Sequence, residues 1–260
     1  MPWDPELYAR FRGERAAPFY DLLALVEVRP DLKVIDLGCG SGELTAVLAG
    51  QLPDSDVTGL DSSPEMLARA REQQQPGLRF VEGSIESLKG EYDLVCSNAA
   101  LQWLPDHRAL LAKLWGHVRE SGQLAVQVPS NFDHPSHTLL AQAAAEARFA
   151  AALGGWTRNG TAPASRQSPV LSLVEYGELL FSLGGVEITA FEKIYPVVLQ
   201  DADGVLEWVS GTALVPYLER LPQALREEFR QDYRARLWAR WPRGPVFYAF
   251  KRTLFAARKV

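Results

Sequence analysis

Val34-Ile35-Asp36-Leu37-Gly38-Cys39-Gly40-Ser41-Gly42, followed by the apolar run Val57-Thr58-Gly59-Leu60 closing on Asp61, decides the fold of this chain. The residues up to Leu37 read as a buried strand. Three glycines at alternate positions let the backbone turn tightly against a ligand, and helical spacing resumes from Glu43 to Leu52. A strand, a glycine loop, a helix and a second strand ending in an acid point to a nucleotide-cofactor site.

Working outward, the pattern predicts strands over 33–37, 56–61, 78–82, 92–97 and 122–128, alternating with helices over 43–52, 64–74 and 107–118. Such alternation implies parallel strands joined by right-handed crossovers. A lead-in helix over 14–28 is closed by Pro30, and Pro64 behind Ser62 and Ser63 makes a good helix start. Beyond Pro129 the pattern predicts an Ala-rich helix over 139–153 and a breaker-rich loop over 157–169. Ser172-Leu173-Val174-Glu175 then matches a capping box opening a helix that stops at Gly184-Gly185. A strand over 186–198, helices over 204–214 and 222–241 and a closing strand over 247–258 complete the reading. The expected organisation is a cofactor-binding core with its lead-in helix over 1–130 and a helical cap over 131–242. One helix and strand of the cap, about 172–198, return to the sheet, and a final core strand lies in 243–260.

At 260 residues and 47% hydrophobic, the chain is long enough for one large α/β domain carrying an insertion. Its net charge of −5 argues against general binding to nucleic acid or a membrane surface, since either polyanion would be repelled. Only Cys39 and Cys96 are present, so both read as small buried residues in a reducing compartment. No apolar run approaches the ~20 residues of a membrane span, and Met1-Pro2-Trp3-Asp4 opens no export signal. The expectation is a cytoplasmic monomer with no nucleic-acid or membrane partner.

The loop itself discriminates between cofactors. Dinucleotide sites usually read Gly-x-Gly-x-x-Gly, whereas here the spacing is Gly-x-Gly-x-Gly. Asp36, at the end of the preceding strand, would repel a pyrophosphate and suits a cation. S-adenosylmethionine is cationic, with an amino group, a sulfonium and no phosphate. Asp61 can accept ribose hydroxyls in either class, so an NAD-dependent oxidoreductase and a non-catalytic cofactor-binding protein stay open at this point.

With Asp36-Leu37-Gly38-Cys39-Gly40, the stretches Thr58-Gly59-Leu60-Asp61-Ser62-Ser63-Pro64-Glu65-Met66 and Phe80-Val81-Glu82 resemble class I S-adenosylmethionine-dependent methyltransferases. Ser97-Asn98-Ala99-Ala100-Leu101-Gln102-Trp103-Leu104-Pro105-Asp106-His107, the early Leu7-Tyr8…Phe11…Glu14-Arg15…Pro18 segment, Leu124–Pro129, Glu207-Trp208-Val209 and Phe255–Arg258 narrow the resemblance to the trans-aconitate methyltransferase family. The resemblance implies a Rossmann-like α/β fold: a seven-stranded sheet whose last strand is antiparallel and inserted beside the fifth, with a helical cap over the substrate. It also implies that Gly38, Gly40 and Gly42 approach the methionine part of S-adenosyl-L-methionine, that Asp36 attracts its amino group through water, and that Asp61 holds the ribose. Ser62 and Met66 would border the adenine, with Ser84 and Ile85 on its other side. Asn98 and Ala99 would turn carbonyls to the amino group, and Trp103 would wall the methyl-transfer cavity.

A carboxylate is already a nucleophile at neutral pH, so esterifying a small acid needs position and exclusion of water, and no general base or metal. The acid would need cations or hydroxyls around it: Arg12, Arg15, Arg252, Tyr8 and Tyr195 are the candidates. In Gly211-Thr212-Ala213-Leu214-Val215-Pro216-Tyr217-Leu218, Val215 stands where an Arg commonly precedes the proline in the family, which weighs against trans-aconitate itself and leaves a less charged acid compatible. Gly83-Ser84-Ile85 likewise offers the adenine amino group a hydroxyl where an acid is frequent. His107 reads as a surface or supporting residue at a helix start, and His134 and His137 lack the spacing of a helical metal pair.

Overall fold

The structure is a computed structural model that describes residues 12–156 and 169–260, with side chains from Ala16 onward. Helix α1 (Arg12–Leu23) leads into β1 (Lys33–Leu37), α2 (Glu43–Gln51), β2 (Asp56–Asp61), α3 (Pro64–Ala70), β3 (Leu78–Glu82), β4 (Tyr92–Asn98), α4 (His107–Gly116) and β5 (Val118–Pro129). There follow α5 (Pro135–Ala144), α6 (Ala147–Ala152), α7 (Leu173–Ser182), β6 (Val186–Leu199), α8 (Ala202–Ser210), α9 (Val215–Arg220), α10 (Gln223–Arg240) and β7 (Val246–Arg258). The loop expected over 157–169 lies, but for Pro169, outside the described residues.

The seven strands form one sheet in the order β3-β2-β1-β4-β5-β7-β6. β1 pairs in parallel with β2 on one side and β4 on the other, and β7 runs antiparallel to β5 from Gln123↔Arg258 to Pro129↔Arg252. The expected seven-stranded topology, last strand inserted beside the fifth, is the one found. Val34 to Leu37 and Leu94 to Ser97 are fully buried, because parallel central strands are covered on both faces. On one face Phe19 and Leu22 of α1, Leu48 of α2 and Leu67 and Ala70 of α3 join Val34, Val57, Leu94, Leu254 and Ala256 in a single cluster. Phe255 alternates to the other face, where it stacks on Tyr176 of α7 at 4.2 Å.

The chain forms two compact units. One is built from Ala16–Pro129, Pro169–Lys193 and Arg252–Val260 and contains β1 to β5; the other takes the described residues of Met1–Arg15, Ser130–Ser168 and Ile194–Lys251. The second is mainly helical, with an aromatic core in which Phe149 meets Phe229 edge-on at 5.0 Å and Tyr217 stacks on Phe229 at 5.6 Å. No helix of the described residues is long and apolar enough to cross a membrane.

Several boundaries differ from expectation for local reasons. The Ala-rich helix over 139–153 is two helices, broken at Glu146, whose backbone is extended and whose carboxylate accepts from Arg236 of α10. α5 begins earlier, because Pro135 occupies its first turn and His134 caps it. The fifth strand starts at Val118: a register jump between Tyr92↔Val118 and Leu94↔Gln123 absorbs the turn residues before Gly122. Asp201 caps α8 by accepting from Gly204 N at 3.0 Å, so that helix begins at Ala202, and the short α9 follows it. The capping box at Ser172 and Glu175 forms as read.

One ring sets the spacing between the glycine loop and the sheet. A Cβ on Gly59 would lie 2.6 Å from the Phe80 ring, and one on Gly42 would lie 2.7 Å from it. Gly59→Ala should therefore cost about 1–3 kcal/mol by overpacking. Phe80→Leu should cost less in that background than in the parent, by about 1 kcal/mol of coupling in urea denaturation. Strict additivity would show that the ring is not what demands the glycine.

Candidate active site

The strand order reverses between β1 and β4, and ligands bind α/β sheets outside the carboxyl ends of the strands at such a point. Gly38, Cys39, Gly40, Ser41, Asp61, Met66, Ser84, Ile85, Asn98, Ala99 and Ala100 are all half-buried there, in contrast to the sealed strand centres. The loop is suspended from β2: Gly38 N and Cys39 N both donate to the Leu60 carbonyl, at 2.7 and 3.0 Å. Asp61 completes the attachment. Its Oδ2 accepts from Gly40 N and its Oδ1 from Ser63 N, each at 2.9 Å. Each oxygen keeps a second acceptor site, which is what a pair of ribose hydroxyls requires.

The three loop glycines have left-handed backbones, but for different neighbours. A Cβ on Gly38 would fall 2.2 Å from the Ala100 Cβ, with Ile85 Cδ1 at 3.9 Å, and one on Gly42 would fall 2.9 Å from the Ala70 backbone. Those two positions are filled by protein. Beside Gly40, at φ 56°, nothing lies within 4 Å, so this glycine faces open space.

Asp36 is 5% exposed and accepts a 2.6 Å hydrogen bond from Thr45 Oγ1 of α2. Burial raises its pKa to about 6, only partly offset by the Thr45 hydrogen bond, and the nearby Asp61 charge adds to the rise. Burial and the same two carboxylates push the Cys39 thiol far up, so it stays protonated and unreactive. Two carboxylates close to an open loop form a site for a cation.

At the end of β4, Ala99 is left-handed at φ 54°; its N–H donates to Gln127 O at 2.9 Å, and its carbonyl accepts from Gln102 Nε2 at 2.6 Å. The buried Asn98 Oδ1 has no hydrogen-bond partner, an orphan acceptor at the cleft that an ammonium group would satisfy. Ser63, not the exposed Ser62, caps α3 by accepting from Met66 N at 3.2 Å. Ser84 Oγ donates to Glu86 Oε2 at 2.9 Å, so its proton is engaged within its own turn. The residues present therefore fit a cationic adenosyl ligand: open space at Gly40, acids at Asp36 and Asp61, an unpaired acceptor at Asn98.

Trp103 rides on a short 3-10 turn, Leu101–Trp103, and is 57% exposed. Arg252 is half-buried and pairs with Pro129 at the carboxyl end of β5, the same end of the sheet as the glycine loop. Tyr195 is buried in β6, in the other unit. Arg12 and Arg15 sit in α1 with their side chains outside the described residues, as is the whole of Tyr8. His107 is not a surface residue: it is 1% exposed and bonded on both ring nitrogens, to the Tyr176 hydroxyl of α7 and to the Leu101 carbonyl. Its helical spacing with Leu110, Leu111 and Leu114 was the available signal. His134 caps α5, accepting from Ser136 N at 3.2 Å, and burial lowers its pKa to about 4. Among the described residues no three His, Cys, Asp or Glu side chains gather to hold a metal.

Residues 34–122 match the family described as "Methyltransferase domain". Over 259 residues the chain is 54% identical to the trans-aconitate 2-methyltransferase of Deinococcus radiodurans, covering 100% of this chain and 99% of that one. It is 38% identical to the enzyme of the same name from Methylobacterium nodulans, covering 99% and 98%. Among solved structures it is similar to the YcgJ protein of Bacillus subtilis, with TM-score 0.58 at 15% identity over 93% of this chain and 97% of that one. The phosphoethanolamine N-methyltransferase 2 of Haemonchus contortus in complex with S-adenosyl-L-methionine superimposes with TM-score 0.53 at 14% identity, covering 93% of this chain and 52% of that one. Neither the oxidoreductase nor the non-catalytic reading finds support among these.

The Asp36 environment has a pH consequence. A cationic ligand needs the carboxylate, so affinity for S-adenosylmethionine should be full above pH 6 and fall as the pH drops through about 6. In the free protein the sign reverses: the acid's folded pKa lies above its ordinary value of 3.8, so folding takes up a proton and Asp36 opposes folding at pH 7. Asp36→Asn should then bind S-adenosylmethionine more weakly with no inflection near pH 6, while raising ligand-free stability at pH 7 by up to about 3 kcal/mol. Calorimetry across pH 5–8 with thermal melts checks both. An unchanged inflection in the variant removes Asp36 from the site.

Proposed function

The chain belongs to the trans-aconitate 2-methyltransferase family of S-adenosylmethionine-dependent methyltransferases, and we propose that it esterifies a carboxylate of a small polycarboxylic acid, trans-aconitate foremost. The observation that carries this reading is the extent of the similarity. It runs end to end, far outside the 34–122 methyltransferase segment, and so includes the regions that choose an acceptor.

When bound, S-adenosylmethionine supplies a methyl carbon on a sulfonium; the acid's carboxylate oxygen forms the new C–O bond, and the C–S electron pair stays on sulfur as a neutral thioether. The chain's residues have no proton to remove, so their work is placement and desolvation. Asp61 holds the ribose hydroxyls with the acceptor sites left free by Gly40 and Ser63. Asp36, ionised, and Asn98 Oδ1 attract the amino group, with the Ala99 carbonyl beside them and Gly40 giving close approach. Gly38 and Gly42 shape the turn, Ser62, Met66, Ser84 and Ile85 border the adenine, and Trp103 walls the methyl's path.

For the acid, we assign Arg252 as a cationic anchor, supported by its place at the ligand end of the sheet. Val215 opens α9 half-buried and supplies no charge where the family commonly has Arg, so Arg252 carries more of the recognition here. Tyr8, Arg12, Arg15 and Tyr195 remain candidates on sequence grounds. The reading places the enzyme in a reducing cytoplasm, in keeping with two unpaired cysteines, and takes it to act as a single chain.

Labelled S-adenosylmethionine offered with trans-aconitate, dicarboxylates and monocarboxylates should give the highest kcat/KM for the tricarboxylate. Preference for a monocarboxylate would sink the assignment. Arg252→Ala should raise the KM for trans-aconitate about tenfold or more, equivalent to one lost charge-assisted hydrogen bond of about 1.5–3 kcal/mol, and leave S-adenosylhomocysteine affinity unchanged. A KM within experimental error of the parent's removes Arg252 from the acceptor site.

A further inference from the structure

The segment that closes the cofactor loop, Ala99 to Asp106, begins and ends in backbone that side-chain-bearing residues avoid. Ala99 is left-handed at φ 54° and Asp106 at φ 46°. Neither is glycine, so the surroundings must hold both in place. At Ala99 the holders are Gln127 O and Gln102 Nε2, and Asp106 accepts from Ala109 N at 3.2 Å as the cap of α4. The middle of the segment, the turn carrying Trp103, is held from beneath by His107.

His107 has no freedom of tautomer. Its Nε2 lies 2.9 Å from the Leu101 carbonyl, which can only accept. Its Nδ1 lies 2.5 Å from Tyr176 Oη, and that oxygen already accepts from Leu171 N at 3.2 Å. The imidazole proton therefore sits on Nε2, donating to Leu101, which leaves Nδ1 of the neutral ring as an acceptor for the Tyr176 hydroxyl. Tyr176 is itself clamped by stacking on Phe255. A relay of hydrogen bonds runs from Leu171 through Tyr176 and His107 to Leu101, one residue from Ala100. Ala100 occupies the space where a Cβ on Gly38 would be.

We infer that His107 is a positioning residue for methyl transfer: through the Leu101 carbonyl it fixes the Leu101–Trp103 turn, and through Ala100 it sets the height of the glycine loop. This rests on the function proposed above and deepens it. His107 touches neither substrate nor cofactor; it acts on the residues that do. Burial keeps its imidazole neutral, so one fixed donor and one fixed acceptor are present at working pH.

The test separates the two nitrogens. His107→Gln can place an amide N–H near the Nε2 position and keep the Leu101 bond; His107→Asn can replace only the Nδ1 side. Asn should lower kcat about tenfold to a hundredfold, as expected of misplaced reacting groups, with the KM for the acid nearly constant, and Gln should restore most of kcat even where their melting temperatures match. Nitrogen-15 NMR of the ligand-free parent should show one of its four histidines, identified by its through-space contact with the Tyr176 ring, protonated on Nε2 only. A signal protonated on Nδ1 overturns the inference even if both variants fail to fold. So does activity that merely tracks melting temperature in both. A parent that neither binds S-adenosylhomocysteine nor methylates any acid defeats the proposed function instead, with the NMR result still standing.

Discussion

The carboxylate of Asp61 is the contact on which the rest of the site depends. β1 and β2 run in register from Lys33↔Asp56 to Leu37↔Leu60, which brings the end of one strand level with the acid at the end of the other. Asp61 then bridges Gly40 N and Ser63 N, tying the glycine loop to the start of α3. Charge-assisted bonds to backbone amides are stronger than neutral ones, and here they fix two loops with one side chain. The open face at Gly40 exists because the loop is pinned on either side of it.

Pinning also explains the division of labour among the glycines. Gly38 and Gly42 are packing requirements imposed by Ala100, Ala70 and Phe80, whereas Gly40 leaves room for something that is not protein. A motif read only as three glycines near a ligand merges these roles, because spacing reports a tight turn and not what fills it. Asp36 shows a related tension. It sits at the end of a sealed strand, where burial favours its neutral form, whereas the role proposed for it beside a cation is that of a carboxylate. Such a residue opposes the stability of the empty protein in exchange for ligand affinity, a pattern expected where function sets the sequence.

What the sequence makes legible follows the strength of local signals. The parallel core reads clearly because both-face burial writes unbroken apolar runs such as Val34-Ile35 and Leu94-Val95-Cys96, and because Ser63-Pro64 and the Ser172–Glu175 box announce helix starts. The break at Glu146 does not read, since alanines on both sides keep helical spacing and its ion-pair partner is an arginine in α10, far along the chain. For His107 the one local signal is its helical spacing with Leu110, Leu111 and Leu114. Its sequence neighbours, a proline, an aspartate and an arginine, describe an exposed helix start; its partner Tyr176 arrives from a distant helix. What the sequence does not show at Ser84 is the local turn: its hydroxyl donates to Glu86 two residues on and accepts from the Glu86 N–H, which leaves one lone pair for a ligand's donor.

Acceptor choice is the least local property of all. A cofactor with fixed charges can be held by residues within a few positions of three strand ends, and Asp36, Asp61 and Asn98 lie at such ends, of β1, β2 and β4. A small acid must instead be met by cations that long segments carry to one place, and each can be supplied from elsewhere in the chain. Val215 brings no charge to the start of α9, although similarity extends from end to end. Arg252 reaches the ligand end of the sheet only because β7 runs antiparallel and brings Arg252 opposite Pro129. Had β7 been parallel to β5, its Arg258 end would lie there instead, and the anchor we propose would have to be a different residue.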